Sequence, residues 1–461
     1  MTNHSSGRMH ALDVDTLKLR EEVFDYARRR MNYAPVPLDI SKTPEELAAL
    51  MPQTVTEDGI GGLTALKLFE DILAPSCISV DNPAFLSFIP AAPTEASTLF
   101  DLVVSASSIY GGSWAEGAGA VYAENEVLRW LAREAGLPDG AGGVFVQGGT
   151  LGNLSALVAA RHTARVARER AGDSMPHRWS FVCSAEAHSS LKAAARVMDV
   201  EIIPVPINPT GKMHGHEVEA AVSDWDGVFA VVATGGTTNF GIVDDLRSVG
   251  EVAQAHGAWF HVDGAYGLSG MLAPKSRHLF DGVELADSFI VDPHKWLFAP
   301  FDACALIYRD PLLGKAAHTQ HAEYLDVLTE TGDWNPSDYA YHLSRRPRGL
   351  PLWFSLATHG AGAYREAIEA NIQLAHDIAD EIERRPGYNL VRRPELSNVV
   401  FTRDGWVAAD YARWSAKLLN DGIAFVVPSS HQGEPNTRFS IVNPLTEFET
   451  LVQILDSMED K

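Results

Sequence analysis

Cysteine is scarce in this chain: three in 461 residues, Cys77, Cys183 and Cys304. That number and scatter exclude a disulfide framework and a thiolate metal centre, and no metal site is expected. Cys183 (in SFVCSA) and Cys304 (in DACALIY) lie in apolar runs, where a thiol serves as a small buried hydrophobe. Basic residues are also few, with 37 Lys and Arg against 60 Asp and Glu, a net charge of −23. An acidic surface repels nucleic acid and anionic membrane, so neither is an expected partner. No uninterrupted apolar stretch approaches the ~18 residues of a membrane-spanning helix. The segment MTNHSSGRMHALDVD has no apolar core after its first charge, so no secretory signal is expected, and the reading is a soluble, cytoplasmic protein.

What is present is ordinary globular material, 46% hydrophobic and 21% charged. At roughly 100–200 residues per domain the length suggests two to four folding units. Leu17, Val23, Phe24, Ala27 and Met31 recur at helical spacing after Asp13, and Thr43-Pro44-Glu45-Glu46 is a helix-start signature. We expect a helical arm over 1–84, a large domain over 85–350 and a small α+β domain over 351–461. Between 143 and 308, short apolar runs alternate with helix-period segments. The expected strands are 143–147, 179–183, 201–204, 228–233, 259–262, 288–291 and 303–308. Such alternation predicts an α/β fold, a mostly parallel sheet flanked by helices, with ligand sites at the carboxyl ends of the strands. The smaller unit should carry strands at 398–402, 424–427 and 437–442. The polar stretch 312–348 shows little periodicity and is expected to be a mobile functional loop.

Five motifs follow those strand ends. SFIVDPHKW sets Lys295 directly after a buried strand, where burial disfavours the ammonium; a lowered pKa suits imine formation with a carbonyl. A lysine whose ammonium simply reaches solvent is the plain alternative. HVDGAYG ends a strand on Asp263, a carboxylate able to meet a protonated ring nitrogen or merely to cap a turn; small Gly264 and Ala265 leave room for a flat ring. QGGTLGN places Gly148, Gly149 and Thr150 between strand and helix, an anion cradle or simply a tight turn. AEAHSS supplies His188, and TGGTTNF supplies Thr237 and Thr238. Each signal is modest, but together they meet the requirements of pyridoxal 5′-phosphate.

On DPHKW, HVDGAYG and AEAHSS the chain resembles the group II pyridoxal-phosphate-dependent amino acid decarboxylases, which include aromatic-L-amino-acid, histidine and glutamate decarboxylases. The resemblance runs from about Asn82 to near Asn443. It implies fold type I and a homodimer with active sites at the subunit interface. It also implies loss of CO₂ from the α-carbon of an amino acid substrate. By position, Lys295 would form the imine with the cofactor, Asp263 would pair with the ring nitrogen, and His188 would stack on one ring face with Ala265 against the other. Gly149, Thr150 and His294 would meet the phosphate, with Thr238 near ring or substrate. Tyr339, rather than Tyr341, would be the loop tyrosine that returns a proton. Phe88, Ile89 and Pro90 match positions lining the side-chain pocket. With no Lys or Arg among residues 85–90, they suit an aromatic or bulky apolar substrate. The chain departs from the family pattern at Leu151 and in RRPRGLPLW, which leaves substrate identity open. The rival readings are an aldehyde-forming oxidative decarboxylase, another lyase or aminotransferase of the same fold, and a non-catalytic cofactor-binding regulator.

Overall fold

The computed structural model of the chain describes residues 9–320 and 333–458. Strands β1 (Gly142–Val146), β2 (Ser180–Ser184), β3 (Glu201–Val205), β4 (Val228–Thr234), β5 (Trp259–Asp263), β6 (Ser288–Val291) and β7 (Cys304–Tyr308) form one sheet. Their order is β1-β7-β6-β5-β4-β2-β3. Strand β2 pairs parallel with β3 and β4, β4 with β5, and β5 with β6, while β7 runs antiparallel to both β1 and β6. Strands β1 and β6 therefore point the same way, and every strand but β7 ends on one edge. This is the α/β fold that the alternation predicts.

All but the edge strand β3 read as near-continuous apolar runs because both faces are buried. Phe145, Val182, Val231, Phe260 and Phe289 pack into a core on one face. Their neighbours Val144, Val146, Phe181, Val232 and Ile290 pack into another, against the helices Gly149–Ala171 and Ser189–Met198. At roughly 1.5–3 kcal/mol for each large side chain removed from water, this double burial fixes the register of the strand ends.

A second sheet follows the long helix Leu350–Arg384. Strands β8 (Tyr388–Arg392), β9 (Asn398–Arg403), β10 (Pro428–His431) and β11 (Glu434–Ser440) pair antiparallel in the order β10-β11-β9-β8. The strand expected at 424–427 does not form. Phe425 instead bridges Phe85, the Phe425 N–H donating to the carbonyl of Ala84 and Leu86 N–H to that of Phe425. Ala84 and Leu86 thereby join the core of the C-terminal unit.

Near the amino terminus, Asp13 caps the helix Val14–Met31, and Thr43 with Glu46 forms a capping box on Pro44–Leu50. Neither helix buries a residue. Part of the stretch expected to be irregular is helical: Pro311–His318, with Asp310 as cap and Pro311 in the first turn. Residues 321–332 of the expected loop lie outside the described residues.

Candidate active site

The ends of β1, β2, β4, β5 and β6, on one edge of the sheet, gather side chains from distant parts of the sequence. They surround a cavity of about 730 Å³ whose lining includes Gly149, Thr150, His188, Thr238, Asp263, Ala265, His294 and Lys295. Each arrives there for a local reason. Strand β1 turns through Gln147 and Gly148 into the helix Gly149–Ala171, whose start no side chain caps. A Cβ at Gly149 would lie 3.2 Å from Ala265 Cβ and from Asp292 Oδ2, so glycine lets the backbone sit here without pushing either neighbour back. Uncapped amides at the head of a 23-residue helix suit an anion such as phosphate.

Strand β5 ends on the buried Asp263. Its Oδ2 accepts from Asn153 Nδ2 at 2.9 Å and its Oδ1 from the Ala265 N–H at 3.3 Å. His188 begins the helix Ser189–Met198, and its Nδ1 accepts from the Ser190 N–H at 3.2 Å. With Nδ1 accepting, the neutral ring carries its hydrogen on Nε2. Strand β6 runs into Asp292, and Pro293–Trp296 makes a single helical turn. Lys295 Nζ lies 2.9 Å from Asp292 Oδ2, and His294 Nε2 lies 3.8 Å from the same oxygen. The Asp292 Oδ1 atom is buried with no hydrogen-bond partner among the described residues. Ring-sized space, an anion cradle, a buried carboxylate and an amine on one wall are the chemistry that pyridoxal phosphate requires, and the residues fit it.

One expectation is corrected. Burial does oppose the Lys295 ammonium, but the Asp292 carboxylate outweighs it, and the pKa is raised rather than lowered. Burial pushes the His294 imidazole down, partly offset by Asp292.

Not every expected residue reaches the cavity. Tyr339, read as the proton donor, is buried with its ring stacked on Trp334 at 4.1 Å, while its carbonyl accepts from the Tyr308 hydroxyl at 3.0 Å. Two flat rings lose more water by covering each other than by facing a polar cavity. Tyr341 is 72% exposed. Phe88, Ile89 and Pro90 also lie outside the lining. Ile89 and Pro90 are buried, whereas Phe88 is 59% exposed at φ 55°. The Phe88 carbonyl accepts from Arg438 at 3.0 Å and from the Ser440 hydroxyl at 2.7 Å. Arg438 also donates to Asn239 Oδ1 and to the carbonyl of Thr238, which ties the Phe88 turn to two residues of the cavity wall.

Asn153, Lys192, Asn239, Phe301 and Asp302 line the cavity too and escaped the sequence reading. For Asn153 a signal existed: it lies four residues after Gly149, on the same helix face.

The model of the pyridoxal-dependent decarboxylase conserved domain matches residues 44–403. The aromatic-L-amino-acid decarboxylase of Cavia porcellus is 31% identical over 398 residues, 80% of this chain and 78% of that protein. The L-2,4-diaminobutyrate decarboxylase of Acinetobacter baumannii is 26% identical over 381 residues, 77% of this chain and 74% of that one. The crystal structure of Oryza sativa TDC with PLP and tryptamine superposes with a TM-score of 0.88 at 24% identity, covering 97% of this chain and 98% of the other. A cavity built for pyridoxal phosphate and a family match over most of the sequence agree: the chain belongs to the pyridoxal-dependent decarboxylases and is a pyridoxal-phosphate-dependent amino acid decarboxylase.

Proposed function

We propose that the enzyme releases CO₂ from an aromatic or bulky apolar L-amino acid to give the amine. The observation that carries the reading is the convergence of Lys295, Asp263 and His188 with the uncapped Gly149 helix start in one cavity. The cofactor, when bound, supplies a ring that takes up the electron pair left as the bond from Cα to the carboxylate breaks. The chain does the rest. Lys295 Nζ is the amine that would anchor the cofactor. The Gly149 and Thr150 amides and His294 would hold its phosphate. Asp263 would accept the hydrogen of the ring nitrogen and favour its protonated form. His188 and Ala265 would flank the ring and help to keep water from the reacting side, with Thr238 on the substrate side. His188 Nε2 then carries the hydrogen that this wall presents. Tyr339 takes no part in this assignment, because its ring is committed to Trp334.

The aromatic preference is supported by the rings around the mouth. Phe240 and Phe301 line the cavity, and Phe88 is held beside it through Arg438. The Cavia porcellus relative bears an aromatic-amino-acid name. We also propose a homodimer with the site at its interface. Phe88, Phe301 and, on the helix Glu95–Ser107, Leu99, Leu102 and Val103 are exposed large apolar side chains of the kind a second copy covers. Among the described residues no helix is long and apolar enough to cross a membrane.

The test is incubation of purified holoenzyme with the twenty amino acids and dihydroxyphenylalanine, scoring CO₂ and amine together. Aromatic amines formed one for one with CO₂ support the reading. A diamine or an acidic product would refute the substrate class, and aldehyde with ammonia and peroxide would assign the oxidative route. Lys295→Ala should lose the visible absorption band of the bound cofactor.

A further inference from the structure

From Asn153 and Ser190 in the cavity wall, a chain of polar side chains runs back into the sheet, and the reading above leaves it without a task. Trp259, His261 and Asp263 alternate along β5 and so point to the same face of the sheet, toward the helix Gly149–Ala171. Ser288 lies opposite His261 in the β5–β6 register. Trp259 Nε1 donates to Ser288 Oγ at 2.8 Å, His261 Nδ1 lies 2.8 Å from the same Oγ, and His261 Nε2 lies 2.9 Å from Asn153 Oδ1. Asn153 Nδ2 donates to Asp263 Oδ2 at 2.9 Å and to Ser190 Oγ at 3.0 Å, and Ser190 Oγ lies 2.8 Å from His188 Nδ1. Asn153, Ser190, His261 and Ser288 are all buried.

The donors and acceptors allow one consistent assignment. An indole N–H only donates, so Ser288 Oγ accepts from Trp259 and turns its own hydrogen to His261 Nδ1. His261 therefore carries its hydrogen on Nε2 and donates to Asn153 Oδ1. Burial holds the His261 imidazole well below its usual range, against the upward pull of Asp263, so the ring stays neutral at ordinary pH. The Asn153 oxygen is thereby fixed toward His261 and its NH₂ toward Asp263 and Ser190. Turned the other way, the amide would set an oxygen against a carboxylate at 2.9 Å, with two unpaired polar groups in a dry core. At Ser190, Oγ accepts from Asn153 and donates to His188 Nδ1, in keeping with the His188 tautomer set by the Ser190 N–H.

We propose that Asn153 is a positioning residue that sets both ring-facing groups at once, holding the Asp263 carboxylate for the cofactor nitrogen and, through Ser190, the His188 ring over the cofactor face, while neutral His261 keeps the amide the right way round. This rests on the roles given above to Asp263 and His188. The Asn153 amide is spent on Asp263, Ser190 and His261, and His261 lies outside the cavity lining, so both act through the ring-facing residues. A single amide thus couples two cofactor contacts that come from different strands, β2 and β5.

The test compares holoenzymes carrying Asn153→Leu, His261→Phe and His261→Gln by two readouts other than turnover. These are the visible circular dichroism per bound cofactor, which reports ring orientation, and the cofactor dissociation constant from protein fluorescence. Asn153→Leu should lose about half or more of the dichroism and weaken cofactor binding on the order of tenfold, as removal of a buried donor to a charged group does. His261→Phe should move both readouts the same way. His261→Gln, whose amide can still donate to Asn153 Oδ1, should restore them. The two His261 variants decide the matter even if Asn153→Leu does not fold. Wild-type dichroism and affinity in both Asn153→Leu and His261→Phe would overturn the proposal. So would impairment of His261→Phe that His261→Gln fails to relieve, because packing alone would then explain it. Retention of the visible band in Lys295→Ala would instead remove the site assignment, and the proposal with it.

Discussion

Lys295 Nζ and Asp292 Oδ2 are 2.9 Å apart, and the aspartate side chain is only 2% exposed. Two opposing effects meet at this pair. Burial penalises the ammonium, the neighbouring carboxylate favours it, and the carboxylate wins, so the Lys295 pKa is raised. An amine held this way is a reluctant nucleophile until the pair is broken.

Asp292→Asn should therefore free the amine. With that charge gone, burial is opposed chiefly by the weaker pull of Asp263, and the Lys295 pKa falls. One pKa unit changes the neutral fraction tenfold. The apoprotein variant at pH 8, treated with pyridoxal and borohydride, should modify Lys295 roughly ten times faster than wild type, read by peptide mass. An equal or slower rate would show that Asp292 is not what restrains the lysine.

The sheet and its site were legible to different degrees, for physical reasons. Strand β6 lies where the apolar run Ser288–Val291 predicts it, and the other strands of the large sheet differ from expectation by a residue or so at their ends. Burial on both faces leaves little freedom in such runs. Segment 424–427 is as apolar as those strands, yet its partner is Phe85, more than three hundred residues away, and no local pattern records that pairing. The DPHKW lysine was legible, but the direction of its pKa was not, because that depends on a side-chain distance. Likewise Tyr339 has the right residue type in the right stretch, and its contact with Trp334 is a matter of packing.

A second prediction concerns acid. Burial, with Arg345 and Arg348 nearby, holds His342 down at about 4. The folded state then binds fewer protons than the unfolded state between pH 6.5 and 4. The stability from keeping His342 neutral is thus present above pH 6.5 and lost as pH falls toward 4. His342→Asn should show a smaller drop in urea midpoint from pH 7 to pH 5 than wild type. Equal drops in the two proteins would count against it.

A third concerns the segment that leads into the long helix. Arg345 makes a two-pronged pair with Glu124 at 2.7 and 2.8 Å, with the side chains 2% and 3% exposed, and the same glutamate accepts from the Gly349 N–H. Arg345 also donates to the Gly111 carbonyl at 2.6 Å. Arg345→Met leaves Glu124 charged and without its cation in a dry site, which costs about 3–5 kcal/mol. Urea unfolding measures this directly, and a loss under about 1 kcal/mol would mean that water reaches the carboxylate.

The last prediction addresses substrate choice. Phe88 sits at φ 55° with its carbonyl fixed by two donors, Arg438 and Ser440; Arg438 ties this turn to Thr238 and Asn239 of the wall, and the Phe88 side chain stays 59% exposed. A ring so placed gains area when an aromatic substrate covers it, and it makes no contact that changes as CO₂ leaves. Phe88→Ala should then raise KM for aromatic amino acids roughly tenfold or more while kcat holds, the pattern of binding lost equally from ground and transition states. Small amino acids should be affected less, so the ranking of substrates should narrow. Parallel initial-rate curves for one aromatic and one small substrate measure both effects. An unchanged ranking would move the specificity wall away from this turn, to Phe240 and Phe301 inside the cavity.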